Sequence, residues 1–591
     1  MKPSKLLFTS ICFFLITTMV YAQDCGCDHT ISPSDGLLVL ESSDFDYEPG
    51  DVFCFEAGNY DAIRLIGFKG TAENPLIFKN CGGLVDIVAT TYSGISFRQS
   101  EFIHLTGTGD ESEKYGIKIS EIKSKGQVGL GVSDLSSDFE IDHLEIANAG
   151  FAGISAKTDP KCDRPETWRE NYTFKNLHIH DNYIHNSGGE GMYIGATFGY
   201  ETSALECDGI ERFAHLLENV KVHDNLLEDT GWDGMQFSLC QGNVEIYNNT
   251  INGYGTKGET AQFDGMGIGG GTGGRIYNNK IIQKEEYAVE GQRGITCISP
   301  LSGTIFFNNI IVNPGEYGIW MHIRMTDAVV DLEKSYSFIN NTIISPGKAS
   351  NGMYGRGIYF NTCIPNGGGC RDYIESNFIN NLIINPGSDY ENSGFWKGAE
   401  ESFIDFSVKE LRDAANKQNN IFARDGESAV DYLVSDVKFR NMDNNDFRLL
   451  EGSVAIDVGM DVSDFGVIFD FEKGERPTGE GFDIGAYEYG SVVTTGLLEP
   501  INTKKNLISN LYPNPVSDLL TLEIILDRSS KVDVELYSIR GELIKKLNTG
   551  NYVAGSHLLK WNIKDIEAEP GQYIMIVKTE KIYDHINVIL E

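Results

Sequence analysis

The chain is poor in positive charge. Of its 591 residues, 48 are Lys or Arg against 85 Asp or Glu, giving a formal net charge of −37 and a pI near 4.6. That deficit excludes nucleic-acid binding by the overall field, since phosphate recognition needs a basic face. An anionic substrate would have to meet a local basic groove. After the first 22 residues no apolar run approaches the roughly 20 residues that cross a bilayer, which excludes a transmembrane anchor. Zinc-finger spacing of Cys and His is also missing, so the cysteines read as disulfide formers rather than metal ligands.

What is present begins with a leader. Lys2 and Lys5 precede an apolar run from Leu6 to Val20, and Val20-Tyr21-Ala22 supplies small residues for cleavage, so residues 1–22 read as a secretory signal peptide. Ten of the 11 cysteines follow it, in a compartment where disulfides persist. Cys25, Cys27, Cys54 and Cys81 form two staples whose pairing the sequence leaves open. Cys162 with Cys207 and Cys363 with Cys370 read as bridges within insertions.

Two series repeat along residues 150–425. One reads HDNYIHN, HDNLLED, YNNTING, YNNKIIQ, FNNIIVN, INNTIIS, INNLIIN and QNNIFAR, with Asn182, Asn225, Asn249, Asn279, Asn309, Asn341, Asn381 and Asn420 in register. The other reads AGISAK, EGMYIG, DGMQFS, DGMGIG, RGITCI, YGIWMH and RGIYFN, starting at Ala152, Glu190, Asp233, Asp264, Arg293, Tyr317 and Arg356. After each glycine the apolar residues alternate with period two, the mark of a short strand. Short strands stacked at this repeat length predict an all-β solenoid, a right-handed parallel β-helix, with the asparagines as an internal ladder. No copy carries L-x-x-L-x-L and no helical period separates the strands, which disfavours a leucine-rich solenoid.

The segment Pro49 to Gly83 resembles the first turns of right-handed parallel β-helix proteins, many of them polysaccharide lyases. Phe447 to Gly459 and Arg476 to Gly490 resemble the segment that closes such helices in secreted bacterial proteins. LYPNPVSDLLTLEI from Leu511, VDVELYSIRGELI from Val532 and PGQYIMIVKTEK from Pro570 resemble the C-terminal sorting domain of the type IX secretion system of Bacteroidota. The expected organisation is a signal peptide (1–22), the β-helix (23–490), a linker (491–505) and a small β-sandwich sorting domain (506–591). That resemblance implies the type IX machinery as partner and a monomer that is secreted or held at the cell surface.

Aligned on glycine, the residues that flank the inward Ile or Met stand in outward columns about 4.8 Å apart. Glu190, Asp233 and Asp264 stack in one of them, and stacked acids need a proton, a cation or a base to neutralise them. A turn preference for Asp before Gly explains them structurally; clustered hard oxygens that bind Ca²⁺ explain them functionally. The same face carries Lys157, Tyr193, His322 and Arg324 as candidate catalytic groups, and Arg293, Trp320, Arg356 and Tyr359 as candidate substrate contacts. Arginines that neutralise a uronate, a base that removes its C5 proton and an acid that protonates the leaving oxygen make a β-elimination. The expected function is therefore a lyase, or a dehydratase at a chain end, acting on an anionic polysaccharide or its oligosaccharides. A glycoside hydrolase with paired carboxylates and a non-catalytic glycan-binding adhesin are the rivals.

Overall fold

The computed structural model describes residues 25–491, apart from 197–204, 325–333, 348–354, 364–373, 388–402 and 426–431, and most of residues 507–590. The signal peptide and all of the linker except Ser491 lie outside the described residues. The chain divides into two compact units, Met1–Val492 and Val493–Glu591.

The first unit is the parallel β-helix. Each coil gives one short strand to a sheet of twelve parallel strands and two more to a 25-stranded assembly. Within the twelve-stranded sheet Met192 lies opposite Met235, Met235 opposite Met266, Met266 opposite Ile295, Ile295 opposite Ile319 and Ile319 opposite Ile358. The glycine-anchored alignment therefore holds across every insertion. Four further strands precede the recognised copies, Leu37–Glu41, Ala62–Ile66, Ile95–Arg98 and Leu130–Ser133, and Ile404–Phe406 follows them.

The repeated glycine has a steric cause. A Cβ on Gly234 would lie 2.4 Å from the carbonyl oxygen of Gly265, and one on Gly265 would lie 2.6 Å from that of Gly294. The backbones of successive coils approach too closely for any side chain there. The next residue, Ile or Met, points inward and is fully buried, as are Met192, Met235, Met266, Ile295 and Ile319. Each such side chain contributes about 1.5–3 kcal/mol by leaving water.

The asparagine ladder is continuous. The Nδ2 of Asn182 donates to Oδ1 of Asn225 at 3.0 Å, and the pattern runs through Asn249, Asn279, Asn309, Asn341 and Asn381 to Asn420. The residue before each rung is left-handed, with φ of 53° at Asp181, 54° at Asn248 and 52° at Asn308, which explains the NN and DN dipeptides: Asn and Asp tolerate that conformation.

Outward-facing Ile310, Ile344, Leu382 and Ile421 are apolar because the closing segment covers them with Phe447, Ala455, Ile484 and Tyr487. Arg476 and Glu488 pair inside that segment at 3.0 Å, both fully buried. Cys25 pairs with Cys81 and Cys27 with Cys54, and Cys162 pairs with Cys207 as expected. Cys363 is disulfide-bonded; Cys370 lies outside the described residues.

The second unit is the small β-sandwich. Three antiparallel strands, Ile508–Tyr512, Leu519–Leu526 and Gly555–Asn562, form one sheet, and Ser530–Ser538, Leu543–Tyr552, Gly571–Lys578 and Tyr583–Leu590 form the other. Leu520, Leu522, Val532, Val534, Met575 and Val588 fill its core. Among the described residues no helix is long and apolar enough to cross a membrane.

Candidate active site

The outer face of the twelve-stranded sheet carries every side chain singled out in the sequence. Glu190, Asp233 and Asp264 occupy successive coils, immediately before their glycines, and are 2%, 6% and 4% exposed. Their environments differ. Glu190 has a buried Oε2 with no hydrogen-bond partner among the described residues, and burial pushes its pKa up to about 7 against the pull of Lys157. Asp233 accepts the backbone N–H of Asp264 at 2.8 Å, and burial together with the Asp264 charge raises it well above the carboxylate range. Asp264 is raised by burial too, but it is held by the Arg293 guanidinium (3.4 Å), the Arg293 N–H (3.0 Å) and the Thr296 hydroxyl (2.5 Å). The base bonded to the column thus sits on Asp264, while Lys157 acts on Glu190 only through its charge.

Beyond Asp264 the face becomes cationic and aromatic. Arg293 lies 4.2 Å over the Trp320 ring, and Arg356 lies 4.8 Å over Tyr359. Such cation–π contacts hold both guanidinium groups along the groove. Arg356 also donates to Asp405 Oδ2 at 2.7 Å, a fully buried carboxylate. The indole N–H of Trp320 has no hydrogen-bond partner among the described residues. His322 donates from Nε2 to the Cys363 carbonyl at 3.0 Å and accepts from Arg324 Nε at Nδ1, also 3.0 Å. Both ring nitrogens are therefore engaged, and burial lowers its pKa.

On the other side of the acids lies a cavity of about 400 Å³ lined by Arg98, Lys157, Lys161 and Arg164 together with Ser96, Ser133 and Ser155. Lys157 stands 4.7 Å over the Tyr193 ring and pairs with Asp159 at 2.9 Å. Arg164 pairs with Asp134 and Glu166. Four cationic side chains thus line this cavity beside Asp134 and Asp159. A larger pocket of about 630 Å³ against the closing segment is lined by Arg448 and Tyr487, but Arg448 is bound to Asp446 at 2.7 Å. Within it Glu472 is raised by burial and Asp446 is lowered by its bonds to Arg448.

Calcium would need the three stacked acids to converge. Among the described residues they do not form a group whose donor atoms all lie within 4.8 Å. One oxygen of Asp233 and both of Asp264 are already bonded. The donor set does not fit one shared Ca²⁺, and the chemistry below uses none.

Arg98 and Asp405 belong to the groove but lie outside the recognised copies. Arg98 sits in the SGISFR copy, which starts at Ser93, upstream of the recognised series, and in FIDF a Phe stands where glycine is expected. The alternation of SGISFR was the available signal for Arg98.

Residues 510–590 match the family described as the secretion system C-terminal sorting domain. The chain carries a type IX sorting domain and is exported, to be secreted or held on the cell surface. No curated protein matches the chain. Among solved structures the chain is similar to the pectate lyase Pel9A (12% identity, 78% of this chain and 97% of that one, TM-score 0.34). It is similar as well to the GH136 lacto-N-biosidase of Eubacterium ramulus (11%, 64% and 63%, TM-score 0.37). A third is a mannuronic-acid-specific polysaccharide family 6 lyase from human gut microbiota (10%, 67% and 87%, TM-score 0.30). Likeness at this level carries no argument about chemistry.

Proposed function

We propose that the protein is a secreted carbohydrate-active enzyme that cleaves glycosidic bonds of an anionic polysaccharide or its oligosaccharides in this groove, with Glu190 as the proton donor. The observation that carries the reading is the contrast within one acidic column: Glu190 is pushed up to about 7 with a free buried oxygen, while Asp264 is held by Arg293 and Thr296. A carboxyl left without a partner and a second one held by a guanidinium and a hydroxyl can serve as an acid and a base. Glu190 protonates the leaving oxygen, and Asp264 takes a proton from the attacking water. They are two coils apart, about 9 to 10 Å along the sheet by strand spacing, and carboxyls about 6.5–9.5 Å apart favour inversion. Asp233 between them stays protonated and keeps the column from carrying two adjacent charges. Tyr193, Trp320 and Tyr359 offer apolar faces and edges to sugar rings.

The cation-lined cavity favours a second reading, β-elimination. Arg98, Lys161 and Arg164 would neutralise a uronate carboxylate, Lys157 would take the C5 proton, and Glu190 would protonate the leaving oxygen as before. His322 is a poor base here because both nitrogens are bonded. The test offers purified protein a panel of anionic and neutral polysaccharides and follows new reducing ends beside the ultraviolet absorbance of unsaturated uronate. Reducing ends alone, lost in Glu190→Gln and Asp264→Asn, support hydrolysis. Absorbance lost in Lys157→Ala moves the chemistry to elimination, and binding without either product leaves an adhesin.

A further inference from the structure

A second cluster of chemically able side chains stands on the outer face of the 25-stranded assembly. Strands Glu101–Thr106, Ser137–Asp142, Thr173–His180 and Leu216–His223 run side by side there. Glu140 lies opposite both His104 and His178, Asp142 opposite His180, and His180 opposite His223. Because alternate residues share a face, His104, Glu140 and His178 form one outward column and Asp142, His180 and His223 the next. Five of the chain's 11 histidines, these four and His143, gather at this patch.

The donor atoms converge. His180 Nε2 is 3.1 Å from Glu140 Oε1 and 3.9 Å from Asp142 Oδ2, His178 Nδ1 is 3.6 Å from Glu140 Oε1, and His104 Nε2 is 2.5 Å from Asp142 Oδ2. The donors of Glu140, His178 and His180 all lie within 4.8 Å of one another, as do those of His104, Glu140 and Asp142. The other such group among the described residues, Cys25, Cys27 and Cys81, is consumed by disulfides.

The left-handed corner residue adds an independent pointer. It is Asn at 248, 278, 308, 340, 380 and 419, but Asp at 181 and 224. Either residue suits that backbone. Only the two Asp corners follow a histidine of this patch, and each carboxylate binds the Nδ1 of its histidine: Asp181 to His180 at 2.8 Å and Asp224 to His223 at 2.7 Å. A carboxylate on one ring nitrogen fixes the ring and turns the other nitrogen towards a metal.

We propose that Glu140, His178 and His180, completed by His104 and Asp142, bind a divalent transition metal of the zinc class. Mixed imidazole and carboxylate donors suit Zn²⁺, Co²⁺ or Ni²⁺, whereas Ca²⁺ and Mg²⁺ take oxygen. The ion would tie three consecutive coils together.

The test strips the full chain with a chelator and titrates it with Zn²⁺ by calorimetry and with Co²⁺ by visible absorption. One equivalent is expected, with Co²⁺ bands of nitrogen and oxygen ligation and a higher melting temperature. His180→Ala and the isosteric Glu140→Gln should each weaken binding by at least about tenfold, Asp181→Asn should weaken it less, and Asp233→Asn in the groove should leave it unchanged. Cooperative melting checks that each variant folds. Absence of uptake by the folded chain, or uptake undiminished in both His180→Ala and Glu140→Gln, overturns the proposal.

Discussion

The asparagine ladder and the acid column are built alike: each stacks one side-chain type on successive coils at the same spacing, and each is almost wholly buried. They differ in what one residue can do for the next. An amide both donates and accepts, so Asn279 gives its Nδ2 to Ile246 O and Asn309 Oδ1 while its own Oδ1 takes the amide of Asn249. A carboxylate only accepts, so a stack of carboxylates cannot satisfy itself. The ladder is architecture because it closes on its own. The column must take up protons or a base from outside, which is what a catalytic site does with a substrate.

Changes that exchange the two kinds of stack sharpen this contrast. The largest effect is expected for Glu190→Gln, which keeps the shape of the column and removes its proton donor: turnover on the substrate found above should fall about 10²–10⁴-fold while melting stays cooperative. Asn279→Asp makes one rung of the ladder into a column member. It removes both donated bonds and buries a charge, so stability measured by denaturant unfolding should fall by about 3–5 kcal/mol. The reverse exchange, Asp233→Asn, puts a neutral amide in place of a carboxyl that is already protonated and keeps an oxygen for the Asp264 N–H, so stability at neutral pH should change by less than about 1 kcal/mol. Equal losses in Asn279→Asp and Asp233→Asn would erase the distinction.

The pH dependence separates the stacks next. Glu190 has a folded pKa of about 7 against an ordinary value of 4.5, so the folded chain holds more protons than the unfolded one between those values. Stability from this group is full below pH 4.5 and is lost as pH rises towards 7, in total about 3 kcal/mol at 1.36 kcal/mol per unit. Melting of wild type and Glu190→Gln across pH 4–8 should differ by that slope, and no ladder variant should alter it. The smallest effect concerns the outer rings: Tyr277 stacks between Tyr247 at 4.9 Å and Phe307 at 4.6 Å. Tyr277→Leu should cost about 0.5–1.5 kcal/mol in unfolding and leave turnover intact.

Most of the solenoid was legible because its signals are local. Glycine followed by alternating apolar residues marks a coil wherever it occurs, and NN marks a left-handed corner with its rung. The site was legible as a face but not as a set of bonds. Lys157, Glu190, Asp233, Asp264, Arg293, Trp320 and His322 do share one surface, yet nothing in YGIWMH says that both nitrogens of His322 are engaged by the Cys363 carbonyl and Arg324. Asp405 was hidden because Phe403 replaces the glycine that anchors the pattern. The histidine patch was written in HIHD at residues 178–181, but its partners Glu140 and His104 come from the two preceding coils, 178 − 140 = 38 and 178 − 104 = 74 residues before His178.

The sequence by itself determined a parallel β-helix followed by an exported β-sandwich domain, the residues that face inward, and the face on which acids accumulate. These follow from period two, from the steric need for glycine and from the amide's capacity to bond to its own kind, all properties of a residue and its near neighbours. Only the tertiary structure decided that Cys25 joins Cys81, that Arg356 belongs to Asp405, that Glu190 keeps an unbonded oxygen while Asp264 does not, and that histidines of separate coils meet. Those depend on which coils lie next to each other and how burial varies along the stack, and insertions of unequal length between coils leave no local record of either.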